Sequence, residues 1–148
     1  MRQPLIISDK LNMRETLEKL ISEKTNSALI VNEEGKLAGE VSVLGIIRAV
    51  IPDYIEDDRV AAHFSTEEIF REDVMKAQDI SICDIMKKDP KTLTPEASLT
   101  EAAVVAISGR QSRIPVVDAD HKPIGVLTRT ELKQVIGQML GMDGCFTG

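Results

Sequence analysis

The sequence predicts an α/β (α+β) fold: two pseudo-twofold-related repeats, each with short strands and two helices, their small sheets packed face to face. Three observations predict it. Residues 5–50 and 91–136 overlay at a constant offset of 86 with no gap. Ser27-Ala28-Leu29-Ile30-Val31-Asn32 falls on Arg113-Ile114-Pro115-Val116-Val117-Asp118, Gly39-Glu40-Val41-Ser42 on Gly125-Val126-Leu127-Thr128, and Asn12-Met13-Arg14-Glu15 on Ser98-Leu99-Thr100-Glu101. A fixed internal period marks a repeat architecture, and any site in it should come as a pseudo-symmetric pair. Each copy reads helix, strand, strand, helix: a helical apolar period, two short apolar runs around a turn, then a second helical stretch. Each copy spans only 46 residues, too few to bury a comfortable core alone, so the two should pack together.

The elements follow in order. Asn12 is a candidate N-cap, and Glu15 completes a capping pattern. Met13, Leu17, Leu20 and Ile21 then give one helical face. Ala28–Val31 is a short apolar strand, Asn32-Glu33-Glu34-Gly35 a turn, and Leu37–Val41 a second strand. Val43 to Ile51 is helical, and Pro52 ends it. Ser65-Thr66-Glu67-Glu68 is another capping box, opening a helix to about Ala77 with Ile69, Phe70, Val74 and Met75 apolar. Ile80–Met86 leads into the second repeat. There Ser98 caps and Glu101 answers it. Ala102, Val104, Val105 and Ala106 make that helix so apolar that it should be buried on most sides. Ile114–Val117 and Ile124–Leu127 are strands around the turn Asp118–Lys122. Arg129 to Leu140 closes the fold, with Leu132, Val135, Ile136 and Met139 on one face. The expected organisation is repeat 1 at 1–51, an acidic helical connector at 52–79, repeat 2 at 80–140 and a flexible tail at 141–148.

Composition narrows the function. The net charge of −6 and the lack of a basic stripe argue against nucleic acid. No apolar run approaches the ~20 residues of a membrane span, and residues 1–20 lack the layout of a signal peptide, so a cytoplasmic location is expected. Eight carboxylates lie between Asp53 and Asp73 (Asp53, Glu56, Asp57, Asp58, Glu67, Glu68, Glu72, Asp73). They read as a solvated connector face or, alternatively, a divalent-cation site, although the spacing lacks the alternation and central Gly of an EF-hand. Cys83 and Cys145 make no disulfide framework; Cys83 reads as a small core residue and Cys145 as part of an exposed tail. No phosphate loop of the Gly-x-x-x-x-Gly-Lys-Ser/Thr type occurs, and His63 and His121 stand alone without a triad or metal set, so catalysis is not expected and no catalytic or metal residue is assigned.

Ile85-Met86, Thr92-Leu93-Thr94-Pro95 and Ser98-Leu99-x-Glu101-Ala102, then Arg113 to Asp118 and Gly125 to Leu132, closely resemble a CBS domain. Repeat 1 is similar through Ser27–Asn32 and Gly39–Ser42. Together they look like a tandem CBS pair, a Bateman module, over roughly residues 5–140. The resemblance implies a regulatory module that binds an adenosine-containing ligand (AMP, ADP, ATP or S-adenosylmethionine) between its repeats and pairs into a homodimer through its helices. It also leaves open a ligand-free dimerisation module or a Mg²⁺ sensor. No cofactor is required; an adenine nucleotide, with or without Mg²⁺, would be the regulatory ligand, and an effector protein the partner.

The family's ligand motif falls on Gly125-Val126-Leu127-Thr128-Arg129-Thr130-Glu131. A helix N-terminus offers free N–H groups to phosphate, the Thr128 hydroxyl adds a bond, and Glu131 stands where the family prefers Asp. Thr128-x-x-Glu131 is equally a plain capping box, and one residue can serve both roles. Arg113 suits phosphate through its planar fork of donors; Arg110 reads as a solvated loop cation. The resemblance combines Thr128, Thr130, Glu131, Arg113, Ile114 and Pro115 with Asn26, Ser27, Ala28 and Ile7 of the other repeat. Leu5–Ile7 would supply apolar contacts to the base. A twin cleft would use Ser42, Ser81 and Ser112, but Gly45 replaces its carboxylate, so it should be weaker or empty.

Overall fold

The computed structural model describes residues 3–51, 63, 66–109, 111 and 113–142. In chain order these form β1 (Ile6–Ser8), α1 (Met13–Ser22), β2 (Ser27–Val31), β3 (Leu37–Ser42), α2 (Val43–Val50), α3 (Glu67–Ala77), a 3₁₀ turn (Ile82–Asp84), β4 (Lys87–Lys88), α4 (Leu99–Ser108), β5 (Arg113–Val117), β6 (Pro123–Thr128) and α5 (Arg129–Met139). The connector residues 52–62, 64 and 65, together with Arg110, Ser112 and the tail from 143, lie outside the described residues. So do the expectations for Asp53–Asp58, Ser65 and Cys145.

The chain forms two compact units. The first is built on Leu5–Glu34 and Ala38–Lys88, the second on Asp89–Gly148 with the short stretches Met1–Pro4 and Gly35–Leu37. In the first unit the sheet order is β1-β2-β3-β4, with β1 parallel to β2 and β4 antiparallel to β3. Its core gathers Ile7, Met13, Leu20, Ala28, Ile30, Val41, Ile46, Val50, Ala77 and Ile82. In the second, β5 and β6 pair antiparallel, and Leu93 adds a parallel bridge to Val116. Leu93, Ala102 and Ile114 form its centre.

The repeat offset holds in three dimensions. Ile7 partners Ile30 in the first unit, and their counterparts Leu93 and Val116 partner in the second. The hairpin turns also correspond. Asn32 Oδ1 accepts from the Glu34 amide, and Asp118 Oδ1 from the Asp120 and Lys122 amides. Gly35 and His121, equivalent residues, both take a left-handed backbone with φ of 80° and 63°. His is among the residues that tolerate this region, so His121 fits as a turn former.

Capping fixes most helix starts where the sequence placed them. At α1 the box is complete: Asn12 Oδ1 accepts from the Glu15 amide, and Glu15 Oε1 from the Asn12 amide. Ser98 Oγ caps α4 through the Glu101 amide. At α3 the cap is Thr66, whose hydroxyl accepts from the Ile69 amide.

Three points of packing go beyond the sequence pattern. First, Ile80–Lys88, which opens repeat 2 in the sequence, packs in the first unit. The Ile80 carbonyl accepts from the Met13 amide, Ile82 donates to Leu11 and is fully buried, and Lys87–Lys88 pair with Glu40 and Gly39. Gly39 is needed there, since a Cβ would sit 2.7 Å from the Lys87 carbonyl oxygen. Second, α4 is not buried on most sides: Val104 is 56% and Ile107 79% exposed, because nothing among the described residues covers that face. Third, Cys83 is half-buried rather than core, its thiol donating to the Asp9 carbonyl.

Thr16 is fully buried on α1, and its hydroxyl has no hydrogen-bond partner. Its counterpart in the other repeat is the apolar Ala102. A buried unpaired hydroxyl costs about 1–3 kcal/mol, so Thr16→Val, which keeps the shape, should raise stability by about 1 kcal/mol or more in urea unfolding. A loss of stability would mean the hydroxyl is satisfied.

Candidate functional site

The passage from β6 into α5 carries the motif residues of the second unit. β6 runs straight into the helix, so Thr128 is both the last strand residue and the N-cap. The β5–β6 register makes Arg113 the direct partner of Thr128, Ile114 of Leu127 and Pro115 of Val126. Cross-strand partners point to the same face of a sheet. An exposed guanidinium, a half-buried hydroxyl and a helix N-terminus therefore meet at one end of this sheet. Thr130 and Glu131 follow in the first turn, both half-buried. Ile114 and Pro115 are buried and set the strand rather than presenting side chains.

The Glu131 carboxylate accepts from both the Thr128 amide, at 2.8 Å, and the Thr128 hydroxyl. It is thus folded back on its own helix start, as a capping residue is.

The first unit carries the equivalent junction. β3 enters α2 directly, and Ser42 Oγ accepts from the Gly45 amide at 3.2 Å. The Asn26 carbonyl accepts from the Val43 amide, which brings Asn26 and Ser27 to the same sheet end as Ser42. Asn26 is exposed, Ser27 half-buried and Ala28 buried. No carboxylate answers Ser42, because Gly45 occupies that position.

Two expected site residues are displaced. Ser81 bridges Asn12, beyond the C-terminal end of β1, and caps the 3₁₀ turn. β1 and β2 are parallel, with Ser8 opposite Val31, so Ser81 lies past the far end of β2 from Ser42. The true counterpart of Leu5–Ile7 is Lys91–Leu93, which the same offset of 86 identifies. Ile7 points into the core, only 3% exposed, because a strand alternates its faces; its neighbour Ile6 points outward. The base contacts expected of Ile7 are therefore unavailable from its side chain. Ser112 lies outside the described residues.

The sequence reading also missed Gln111. It is 3% exposed, and its amide bonds Lys91 and Arg113. Among the described residues no cluster of His, Cys, Asp or Glu is arranged to hold a metal, and no helix is long and apolar enough to cross a membrane.

A strand-to-helix junction capped by Ser or Thr occurs twice at a fixed offset, which defines a tandem pair of small α/β domains. The CBS domain model matches residues 1–52 and 82–138, and the chain belongs to that family as a tandem CBS-domain pair. An uncharacterized protein of Methanocaldococcus jannaschii is 24% identical over 148 aligned residues, covering 92% of this chain and 88% of its own. The chloroplastic CBS domain-containing protein CBSX2 of Arabidopsis thaliana is 25% identical; the alignment covers 84% of this chain and 55% of that longer protein. Its crystal structure superposes with a TM-score of 0.70 at 23% identity, covering 95% and 93% of the two chains. The structure of CBSX2 in complex with AMP gives 0.65 at 22%, covering 93% and 90%. The CBS domain pair of protein MJ0100, in complex with 5′-methylthioadenosine and S-adenosyl-L-methionine, gives 0.65 at 20% identity, covering 93% and 94%. At these identities the likeness is one of fold.

Gly45 tests the asymmetry of the two junctions. A Cβ there would meet only ordinary contacts, 3.7 Å from Ser42 Oγ and 3.8 Å from the Ile85 carbonyl. Replacing Gly in a helix gains about 0.8–1 kcal/mol, and Glu would complete a capping box. Gly45→Glu should therefore raise stability by about 1 kcal/mol in chemical unfolding. A destabilised variant would show that the position is closed to a side chain.

Proposed function

We propose that this CBS pair is a non-catalytic regulatory module that binds an adenosine-containing ligand bearing phosphate, with AMP, ADP and ATP the preferred class. The observation that carries the reading is the Arg113–Thr128 pairing at the start of α5. It puts a fork of donors, a hydroxyl and a helix N-terminus at one sheet end, an arrangement suited to phosphate. That CBSX2 was crystallised with AMP, and MJ0100 with two adenosine derivatives, supports an adenosine ligand. S-adenosylmethionine would offer Arg113 one carboxylate beside a positive sulfonium, so a phosphate-bearing ligand makes fuller use of its donors.

In this reading the start of β5 supplies Arg113, and the start of α5 supplies Thr128, Thr130 and Glu131. Glu131 would give up its bonds to Thr128 to accept the ribose hydroxyls. The Ser42 junction lacks a carboxylate, so one ligand per chain is expected. A bound ligand shifts the chain between states only as far as it binds one state better. An effector protein would read that shift, and the setting is cytoplasmic.

The exposed apolar side chains favour a second reading, in which helix pairing is the main role. Ile21, Leu44, Ile47, Val104, Ile107, Ile136 and Met139 are all exposed on α1, α2, α4 and α5. Soluble monomers seldom expose extended apolar patches. A homodimer through these helices is compatible with ligand binding, and without ligand it would be a structural module.

A thermal-shift panel of AMP, ADP, ATP, S-adenosylmethionine, NAD and Mg²⁺ separates the readings. A ligand at 100 times its dissociation constant adds about 2.7 kcal/mol, several degrees for a domain of this size. We expect shifts with adenine nucleotides that vanish in the Thr128→Ala, Arg113→Ala double variant. No shift with any nucleotide would leave the dimerisation reading, and a shift with Mg²⁺ alone would point to the acidic connector. An undiminished shift in the double variant would refute the site.

A further inference from the structure

We propose that Gln111 is a positioning residue for Arg113, and that it acts by splicing a break that Pro115 makes in the sheet ladder. The inference rests on the phosphate role proposed for Arg113.

In a parallel ladder each residue bridges two alternate residues of its neighbour. Leu93 shows this pattern: its amide donates to the Pro115 carbonyl at 3.0 Å, and its carbonyl accepts from the Val117 amide at 2.9 Å. Two residues earlier, Lys91 should donate to Arg113 and accept from residue 115. The first unit makes the second of these bonds at the equivalent place, where the Leu29 amide donates to the Leu5 carbonyl at 2.8 Å. Leu5 is equivalent to Lys91, and Leu29 to Pro115. Proline has no N–H, so this rung cannot form in the second unit.

The Gln111 side chain takes its place. Its Oε1 accepts from the Lys91 amide at 2.8 Å. Its Nε2 donates to the Lys91 carbonyl at 3.1 Å and to the Arg113 carbonyl at 3.2 Å. One primary amide thus satisfies both backbone groups of Lys91 and ties them to the first residue of β5. The side chain is buried, so these bonds are costly to leave unmade. Gly109 makes room for it: a Cβ there would lie 3.0 Å from Gln111 Oε1 and 2.8 Å from the Val105 carbonyl oxygen. The equivalent of Gln111 in repeat 1 is Thr25, whose hydroxyl donates only to the Ser27 carbonyl at 3.3 Å. With Leu29 present, the rung to the Leu5 carbonyl forms directly.

The amide therefore fixes the backbone from which Arg113 projects beside Thr128. Removing it should loosen the Arg113 end of β5 while the Thr128 cap stays in place. The effect belongs to the phosphate of a ligand and not to its nucleoside.

The test uses Gln111→Met, which keeps the volume and removes all three bonds. AMP and adenosine are titrated calorimetrically against the parent, Gln111→Met, Arg113→Ala and the double variant. The splice predicts that Gln111→Met weakens AMP by about tenfold and leaves adenosine unchanged. It also predicts that the double variant binds AMP no more weakly than Arg113→Ala alone. Equal losses for AMP and adenosine, or additive losses in the double variant, would reduce Gln111 to a general packing role and overturn the proposal. Amide hydrogen exchange on ligand-free protein gives a separate arm. Lys91 should be protected in the parent and exposed in Gln111→Met; an unprotected Lys91 in the parent would overturn the splice itself. If the parent binds neither ligand while Lys91 shows the expected change, the phosphate reading fails and the splice stands.

Discussion

The register of β5 on β6 is the constraint on which the site depends. It sets Arg113 opposite Thr128 at the residue where strand becomes helix. Side chains alternate along a strand, so a slip by one residue would turn Arg113 to the other face and separate it from Thr128. Ile114, Pro115, Val116 and Val117 are all buried, so β5 is covered on both faces and held firmly in the sheet. The parallel bridge from Leu93 holds the other side of β5. The site is thus a by-product of core packing, and its chemistry is carried by the few residues left at the sheet end.

The two repeats share a scaffold and differ in what it carries. Equivalent junctions pass from strand to helix at Ser42 and Thr128, but only the second has a carboxylate in its first turn. Equivalent strands contain Leu29 and Pro115, and only the second needs a side chain to complete its ladder. Equivalent helix positions hold Thr16 and Ala102, and only the first buries an unpaired hydroxyl. Each difference is a local exchange of hydrogen-bonding capacity within a conserved backbone geometry. Of the three, the carboxylate is the difference on which the proposed preference for the second junction rests.

Much of this was legible in the sequence because it depends on local rules. Caps at Asn12, Ser42, Ser98 and Thr128 start helices through side chains a few residues away. The hairpin strands follow from apolar runs between turn residues. Elements that depend on distant partners were not legible. β1 and β4 have three and two residues, too short for any period, and exist only because β2 and β3 supply partners. Ile80–Lys88 resembles the opening of the second repeat, yet its hydrogen bonds go to the first unit. Burial of α4 could not be read from composition, since an apolar helix can face either a core or an uncovered surface. Gln111 left a faint signal: a proline in a buried strand implies an orphaned carbonyl, and a polar residue four positions earlier can reach it.

The most direct measurement is an amide-resolved NMR titration of the ligand-free protein with ATP. The proposed site predicts saturable shifts at Arg113 and at Thr128 to Glu131, while Ser42 to Gly45 stay still. No shifts at Arg113 and Thr128, or equal shifts at the Ser42 junction, would contradict a phosphate site centred on the start of α5.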